Sequence, residues 1–338
     1  MAVVNCRRAW VETFDLALAR PLQIGAASIC SRRGCYLHIE DEQGLRGSGE
    51  CAPLPGLHGE TLAAAAAQLG EVALSCRGMD LEQGASPRER GDLLPSVHFA
   101  LTMACQSWRW QQEAMPQTAP PRVALNGLVW AQECDLLDEV ERLLGRGYRS
   151  IKVKVGRQSL DQDISRVHKL KQHVAGRALL RLDGNRAWST PEACRFGAAV
   201  GSEGIDYIEE PLRDPADHTR FWKQTGIRVG LDETLAESPS SEVPVGDAIA
   251  ALIIKPALLG PLQRTLQLIR LAQSRGIDAV LSSVFESPLA LRFYARLAQS
   301  EGIAATPQGL DTWRCFAEHK DLRTLIIENG CMTWTEDG

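Results

Sequence analysis

Charged residues of catalytic type recur at a nearly constant interval through the middle of the chain. The first are two lysines in the segment Ile-Lys-Val-Lys-Val (151–155), and three carboxylates and a third lysine follow. From residue 154 to residues 183, 209, 232 and 255 the successive steps are 29, 26, 23 and 23 residues. Three carboxylates on consecutive units, with lysines before and after them, predict a metal site with acid–base groups. The residues concerned are Lys152, Lys154, Asp183, Glu209, Asp232 and Lys255.

These residue types suit the removal of a proton next to a carboxylate. Three hard oxygen ligands favour Mg²⁺, with Mn²⁺ as the alternative ion, and leave positions for a substrate carboxylate. Removing the neighbouring proton creates an enediolate, and such an ion neutralises its charge as it develops. The base must be neutral near pH 7. A nearby cation, a second lysine and partial burial all lower a lysine pKa from its usual value of about 10.4. We therefore expect an enzyme that acts on a small-molecule carboxylate.

The predicted elements that position these residues alternate between strand and helix. Amphipathic segments separate the strand-like ones, and several of them end in glycine, as helices commonly do. Such alternation implies a parallel sheet, and eight strands over about 190 residues imply a closed (β/α) barrel. The predicted strands are 123–129, 151–155, 179–183, 206–209, 229–232, 251–255, 279–283 and 304–310.

Strand parity and strand order then arrange the site. Side chains alternate along a strand, so Lys152 and Lys154 both face the barrel interior, and Arg181 and Asp183 do the same on the next strand. Lys154 on the second strand and Lys255 on the sixth should face each other across the mouth. The three carboxylates lie between them on strands three to five, at the strand ends where barrel enzymes have their active sites.

Four further residues are candidates for binding the substrate. Arg181 is expected to act electrostatically beside the site, since parity points it inward. Ser282 and Ser283 end the seventh predicted strand and Gly309 ends the eighth. We expect these three to hold a substrate carboxylate through hydroxyl or backbone N–H groups.

Composition excludes several other classes of protein. The chain has 338 residues, of which 44% are hydrophobic and 23% charged, as in ordinary globular proteins. A net charge of −5 argues against nucleic acid as a partner, and no apolar run approaches the roughly 20 residues that span a bilayer. The ten cysteines include no Cys-x-x-Cys pair, so reduced thiols and a cytoplasmic location are expected. The sequence predicts no oligomeric state.

The region before the barrel does not follow the repeating pattern. Strands are predicted at 10–19, 34–40 and 46–50, and helices at 61–75 and 95–110, which together indicate a small α+β domain. Three prolines within 115–122 indicate a linker. We therefore predict an α+β capping domain over residues 1–118 and a barrel over 119–317. The tail, 318–338, is expected to rejoin the cap.

At these residues the chain resembles the enolase superfamily, in its muconate-lactonizing-enzyme branch with lysines on strands two and six. The resemblance covers nearly the whole chain and implies a (β/α)7β barrel of the TIM type with an N-terminal α+β capping domain. Seven stretches carry it: Ala-Pro-Leu-Pro-Gly (52–56), Ile-Lys-Val-Lys-Val-Gly (151–156), Arg-Leu-Asp-Gly-Asn-Arg-Ala-Trp (181–188), Ile-Glu-Glu-Pro (208–211), Ile-Ile-Lys-Pro (253–256), Ser-Ser-Val-Phe-Glu-Ser (282–287) and Gly-Leu-Asp-Thr (309–312).

The resemblance also implies a role for each residue. Lys154 is similar to the family's base and Lys255 to the cation on the other side of the enediolate, while Lys152 would orient the bound carboxylate. The Mg²⁺ ligands would be Asp183, Glu209 and Asp232. The cap loop at 20–33 would close the site.

Three functions are compatible with these residues. Serines at strand seven and Gly-Leu-Asp-Thr at strand eight are typical of the branch's dehydratases, which make an aromatic product in menaquinone or phylloquinone biosynthesis. Strand eight has neither the Asp-x-Asp of dipeptide epimerases nor the glutamate of muconate cycloisomerases. Racemisation of N-acylamino acids, or another two-lysine epimerisation, would use the same site. A non-catalytic metal-binding protein is the third hypothesis, which the intact lysines and carboxylates argue against.

Overall fold

A computed structural model describes residues 4–24, 27–82, 92–113, 122–130, 135–317 and 325–334. The first part is a three-stranded antiparallel sheet of β1 (Cys6–Ile24), β2 (Ala27–Asp41) and β3 (Arg46–Cys51), in that order. Two helices, α1 (Leu62–Ser75) and α2 (Pro95–Gln112), pack on one face of this sheet. All five elements were predicted from the sequence, but β1 and β2 are longer than predicted. They pair through most of the segment 20–33 that was expected to be a loop.

Glycines in β3 let α2 lie directly on the sheet. A Cβ atom at Gly49 would lie 1.8 Å from the carbonyl oxygen of Ala100, and one at Gly47 would lie 2.1 Å from that of Ala104. Only glycine avoids these clashes with helix backbone. Between the two layers, Leu37, Ile39 and other buried side chains form the core of the cap.

The second part is a parallel sheet of seven strands. The strands are β5 (Gly127–Leu128), β6 (Ser150–Lys154), β7 (Leu179–Asp183), β8 (Ile205–Glu209), β9 (Val229–Leu231), β10 (Ile249–Ile254) and β11 (Asp278–Leu281). Their order in the sheet is β11-β10-β9-β8-β7-β6-β5. The central strands are buried on both faces, because helices cover the outside and side chains fill the interior; all six residues of β10 are buried. The helices are α3 (Leu136–Gly145), α4 (Leu160–Val174), α5 (Thr190–Val200), α6 (His218–Thr225), α7 (Glu233–Glu237), α8 (Pro256–Leu259), α9 (Leu262–Arg275) and α10 (Pro288–Ser300).

The first and eighth predicted strands are less regular than expected. The first is divided into β4 (Val123–Ala124) and β5, and no regular strand forms at 304–310 among the described residues. Two residues take the place of the eighth strand. The backbone of Gln308 exchanges hydrogen bonds of 2.8 Å with Ala124 and Asn126, and Gly309 bonds to Leu281 and Ser283 at 2.8 and 3.0 Å. These bonds connect the first and seventh strands across the gap.

The described part of the tail is a hairpin of β12 (Leu325–Glu328) and β13 (Cys331–Trp334). Strand β13 pairs antiparallel with β4, at the beginning of the barrel. Contact with the cap comes just before the hairpin, where Ala317 N–H donates to the carbonyl of Ala17. The hairpin thus joins the barrel rather than the cap sheet. The predicted boundaries at 118 and 318, and most of the predicted linker, lie outside the described residues and stay predictions.

Helices in the described ranges do not combine the length and apolar composition needed to cross a membrane.

Candidate active site

A cavity of about 280 Å³ opens at the carboxyl ends of the barrel strands. It contains eight of the ten residues predicted for the site, and Leu57 reaches it from the cap. Glu209 lies directly behind, bonded to one of the lysines. The predicted residues that line the cavity are Lys152, Lys154, Asp183, Asp232, Lys255, Ser282, Ser283 and Gly309.

Lys152 is held between two carboxylates. Its Nζ lies 2.6 and 2.7 Å from the two carboxylate oxygens of Glu209 and 3.0 Å from Oδ2 of Asp183. Burial lowers the pKa of Lys152, but the charges of Asp183, Glu209 and Asp232 outweigh burial and hold that pKa well above its usual value. Lys152 therefore stays a cation, suited to attracting a carboxylate and unsuited to accepting a proton.

Lys154 lies two residues after Lys152 on β6, nearer the carboxyl end of the strand, and its environment differs from that of Lys152. Its side chain is 38% exposed, its Nζ donates to Oδ1 of Asn185 at 3.0 Å, and Asp183 is 3.7 Å away. Partial burial and the charges of Lys152 and Arg157 lower its pKa below the usual lysine value, and Asp183 only partly opposes them. Of the two lysines on β6, Lys154 is the one that approaches the properties of a general base.

Lys255 lies after β10, and its ammonium contacts Oδ2 of Asp232. Burial lowers the pKa of Lys255, but Asp232 and Glu209 raise it more, so the net shift is upward. This lysine stays charged, as expected for an electrostatic role opposite Lys154.

The three predicted metal ligands are buried together, each side chain at most 4% exposed. Ion pairs with Lys152 and Lys255 occupy their oxygens, and within the described ranges no group of three Asp, Glu, His or Cys side chains is arranged around a metal position. The donor set nevertheless fits a hard divalent ion, because three carboxylates converge where they already hold two ammonium groups. Burial raises the pKa of Asp183, but the lysines, Lys152 first, lower it to about 2, so it is ionised at neutral pH.

The serines and the glycine at the seventh and eighth strand positions form one wall. A Cβ atom at Gly309 would lie 2.8 Å from Oγ of Ser282, so the close approach requires glycine. The N–H groups of Ser282, Ser283 and Gly309 donate to backbone carbonyls of the barrel. These N–H groups are therefore engaged within the barrel, which leaves the serine hydroxyls as the groups available to a substrate. The role of this wall in substrate binding stays a prediction. The Ser283 hydroxyl lies 2.5 Å from that of Thr312.

Arg181 does not reach the cavity, so its predicted contribution to substrate binding is not supported by its position. Its Nε donates to Oδ2 of Asp206 at 2.8 Å and its Nη1 to the carbonyl of Pro307 at 2.6 Å. Asp206 is at the beginning of β8, so the guanidinium points to the opposite end of the barrel from the site. Parity correctly gave the inward face but not the depth at which the side chain ends.

Other cavity residues were not among the predicted site residues, although strand parity points Asn185 inward with Asp183. Asn185 connects the two sides of the cavity, accepting from Lys154 and donating to Glu233 at 3.2 Å. Asp311 accepts from the hydroxyl of Tyr148 at 2.6 Å. For Asn185 and Asp311 the signal was present in the Asp-Gly-Asn and Gly-Leu-Asp-Thr stretches. Nothing in the pattern around Leu57 placed it over the barrel mouth.

Comparison with known proteins shows the family of this chain. The family described as "Enolase C-terminal domain-like" matches residues 135–337, and "MenC, N-terminal domain" matches residues 6–128. The o-succinylbenzoate synthase of Pasteurella multocida is 34% identical over 291 residues, which are 83% of this chain and 82% of that one. The o-succinylbenzoate synthase of Edwardsiella ictaluri is 34% identical over 315 residues, 90% of each chain. The chain belongs to the o-succinylbenzoate synthase family of the enolase superfamily.

Solved structures agree on the fold. A mandelate racemase/muconate lactonizing protein from Herpetosiphon aurantiacus superposes with a TM-score of 0.83 at 23% identity, covering 99% of this chain and 97% of that one. A dipeptide epimerase from Enterococcus faecalis, solved with Mg and L-Leu-L-Tyr, gives a TM-score of 0.82 at 19% identity, covering 99% and 98%. The predicted capped (β/α) barrel is thereby confirmed.

Proposed function

We propose that this protein is an o-succinylbenzoate synthase. The reaction is the Mg²⁺-dependent syn-dehydration of 2-succinyl-6-hydroxy-2,4-cyclohexadiene-1-carboxylate to 2-succinylbenzoate, in menaquinone or phylloquinone biosynthesis. The observation that carries the proposal is the extent of the likeness: synthases 34–35% identical to this chain match it over 82–90% of their own length. The lysines and carboxylates, which line the cavity except for Glu209 directly behind it, support it independently.

In this proposal Lys154 is the base. Its lowered pKa and its exposure to the cavity suit it to take the proton next to the ring carboxylate. The resulting Lys154 ammonium then returns that proton to the departing hydroxyl, so that water leaves from one face and the ring becomes aromatic. One lysine suffices because a syn-elimination takes both groups from the same side.

The other lysines supply fixed charge. Lys152 would orient the ring carboxylate through its ammonium, and Lys255 would stabilise the enediolate from the opposite face. Asp183, Glu209 and Asp232 would hold Mg²⁺, which when bound neutralises the charge that develops on the substrate carboxylate. We propose that the hydroxyls of Ser282 and Ser283 contact the remaining polar groups of the substrate. Gly309 lets its own strand position approach Ser282 closely in this wall.

Racemisation of N-acylamino acids is the second candidate, because Lys154 and Lys255 lie on strands four apart in the barrel. A racemase needs both lysines to exchange protons. The contact of Lys255 with Asp232, and its raised pKa, make that exchange harder on one side. The asymmetry between the two lysines favours dehydration.

A comparison of the two reactions tests whether dehydration or racemisation is the function. The purified protein with Mg²⁺ would be given the cyclohexadiene substrate and, separately, N-acylamino acids in D₂O, and kcat/KM would be measured for both. We expect dehydration to have the larger kcat/KM. Deuterium exchange on an N-acylamino acid with a larger kcat/KM than dehydration would contradict the proposal.

A further inference from the structure

One wall of the cavity is hydrogen-bonded to the cap domain. The wall consists of residues 282–285, which follow β11, and Phe285 lines the cavity. Arg32, in β2 of the cap and only 2% exposed, donates from Nε to the carbonyl of Phe285 at 2.9 Å. Its Nη2 donates to the carbonyl of Ala52 at 2.6 Å. A single guanidinium thus bonds the cavity wall and the segment after β3 at the same time.

Phe285 needs such support. Its φ is +63°, in the left-handed region that side chains larger than glycine rarely adopt. Such a conformation persists only where the surroundings hold it. Here the carbonyl is fixed by Arg32, and the ring packs edge-on against Trp130 with centroids 5.2 Å apart. Both the backbone and the side chain of this residue are therefore determined by groups outside its own loop.

The same interface buries two carboxylates whose charges act on Arg32. Glu50, at the end of β3, accepts from the N–H of Ser287 at 3.1 Å and from its hydroxyl at 2.5 Å. Ser287 is the N-cap of α10. Glu286 accepts from the Val284 N–H at 2.5 Å, inside the wall. We call Arg32, Glu50 and Glu286 the cap clamp.

The cap clamp is costly as a purely structural device. Buried charges lose their hydration, and apolar side chains of similar volume often stabilise an interface as well or better. The planar guanidinium of Arg32 adds geometric specificity, because its N–H groups hold two carbonyl oxygens at defined positions. The carbonyl that it fixes in the barrel belongs to a residue of the cavity wall.

We infer that Arg32 is a positioning residue for the reaction, which holds residues 282–285 in their catalytic geometry from the cap. This inference rests on the proposed function for its kinetic readout. It assigns no contact between Arg32 and the substrate. The shape of the cavity then depends on the correct seating of the cap on the barrel.

The first test compares Arg32→Met with Arg46→Met. Arg46 is also a cap-sheet arginine paired with a glutamate, but its side chain is 61% exposed and remote from the wall. We expect Arg32→Met to lower kcat/KM by about 100-fold, the loss typical of a displacement of about 1 Å in a site. Arg46→Met should stay within twofold of the wild type. Equal kcat/KM values for the two variants would overturn the inference.

A second variant covers the case in which Arg32→Met does not fold. Arg32→Lys keeps a positive charge near Glu50 and Glu286, but one ammonium cannot reproduce the two directed hydrogen bonds to Phe285 and Ala52. We expect Arg32→Lys to fold and to lose less kcat/KM than Arg32→Met. In a third variant, Arg32→Ala, added guanidinium ion should restore part of the activity. A merely structural role predicts a lowered Tm with unchanged kcat/KM in Arg32→Lys.

Hydrogen–deuterium exchange separates this inference from the proposed function. Peptides covering 282–287 would be followed in substrate-free protein, and we expect faster exchange in Arg32→Lys than in the wild type. If the wild type fails to convert the diene while exchange still depends on Arg32, the function is wrong and the positioning stands. If the wild type converts the diene and Arg32→Lys matches it in rate and exchange, the positioning is wrong and the function stands.

Discussion

At the scale of single residues, the three cavity lysines have different environments although the sequence presents them alike. The Lys-x-Lys pattern predicted that both lysines of β6 face inward, which is confirmed. It could not separate them, because their pKa values depend on distances to carboxylates from β7 and β8. Lys152 bonds two of those carboxylates, whereas Lys154 lies beyond them and is half-exposed.

Lys154→Ala should therefore abolish turnover without loss of the metal. General-base groups contribute about 10²- to 10⁴-fold, and we expect kcat to fall by at least about 1,000-fold. Mg²⁺ affinity, measured by calorimetry, should change by less than about threefold, since a cation near the site is removed and no ligand is lost. Lys169→Ala, on the exposed side of α4, is the control. More than a tenth of the wild-type kcat in Lys154→Ala would rule this lysine out as the base.

Asp232→Asn should weaken Mg²⁺ binding. An amide oxygen is a poorer ligand for a hard cation than a carboxylate oxygen, and the change also leaves Lys255 without its partner. We expect the dissociation constant to rise by at least about tenfold, as when groups supporting a metal ligand are changed. Asp247→Asn, at an exposed position, provides the comparison. An unaltered Mg²⁺ dependence of activity would remove Asp232 from the ligand set.

At the scale of elements, the strand–helix period predicted most of the barrel. Strands two to seven lie within two residues of their predicted bounds, because each is a short apolar run between turn residues. The prediction of the eighth strand was wrong for a local reason. Pro307 has no N–H to donate, and the barrel is closed by backbone hydrogen bonds of Gln308 and Gly309. The Arg181 error is similar, since periodicity gives the face of a strand and not where a long side chain ends.

The side chain of Gln308 replaces part of the missing ladder, so its removal should destabilise the barrel. It is fully buried, accepts from the Leu281 N–H at 2.6 Å and donates to the carbonyls of Ile303 and Thr306. Gln308→Ala leaves the Leu281 N–H and the Thr306 carbonyl without this partner, while the Ile303 carbonyl keeps the Thr306 N–H. An unsatisfied buried group costs about 1–3 kcal/mol. Urea unfolding should show a loss of roughly 3 kcal/mol, against less than about 0.5 for the exposed Gln299→Ala. Equal losses in the two variants would refute this role.

At the scale of the whole molecule, the cap and the barrel make one site between them. Leu57, Arg32 and Glu50 come from the cap, whereas Glu286 and the lysines and carboxylates of the site come from the barrel. The fold does not choose the reaction, because dipeptide epimerases and muconate lactonizing enzymes share it at 17–26% identity. The sequence could predict the charged groups, whose order along the chain follows the strands. It could not predict the cap–barrel contacts, which join residues more than 200 positions apart.

Glu50, in that interface, should make stability depend on pH. Burial, and then the charge of Glu286, raises its pKa from 4.5 to about 7, while Ser287 and Arg32 oppose the shift. Tyr294 and Cys51 are the other titratable groups whose pKa values respond to it. Since the folded state binds the proton more tightly, the contribution of Glu50 is most favourable below pH 4.5. This stabilising contribution is lost as the pH rises to 7, and the free energy of unfolding has then fallen by about 3 kcal/mol.

Glu50→Gln should remove this dependence. Free energies of unfolding of the wild type and the variant, measured in urea between pH 4.5 and 8, should diverge as the pH rises to 7 and stay parallel above it, with the variant gaining relative to the wild type. Glu71→Gln, on the exposed side of α1, should show no such divergence. Parallel curves for Glu50→Gln and the wild type over the whole range would mean that Glu50 titrates normally.

The central claim is Mg²⁺-dependent dehydration, and one assay tests it most directly. Absorbance of the cyclohexadiene substrate would be followed with purified protein in Mg²⁺, after EDTA, and after Mg²⁺ is restored, with 2-succinylbenzoate identified as the product. We predict rapid loss of the diene with Mg²⁺, none above background with EDTA, and recovery on restoration. No turnover in Mg²⁺, or turnover unaffected by EDTA, would contradict the account.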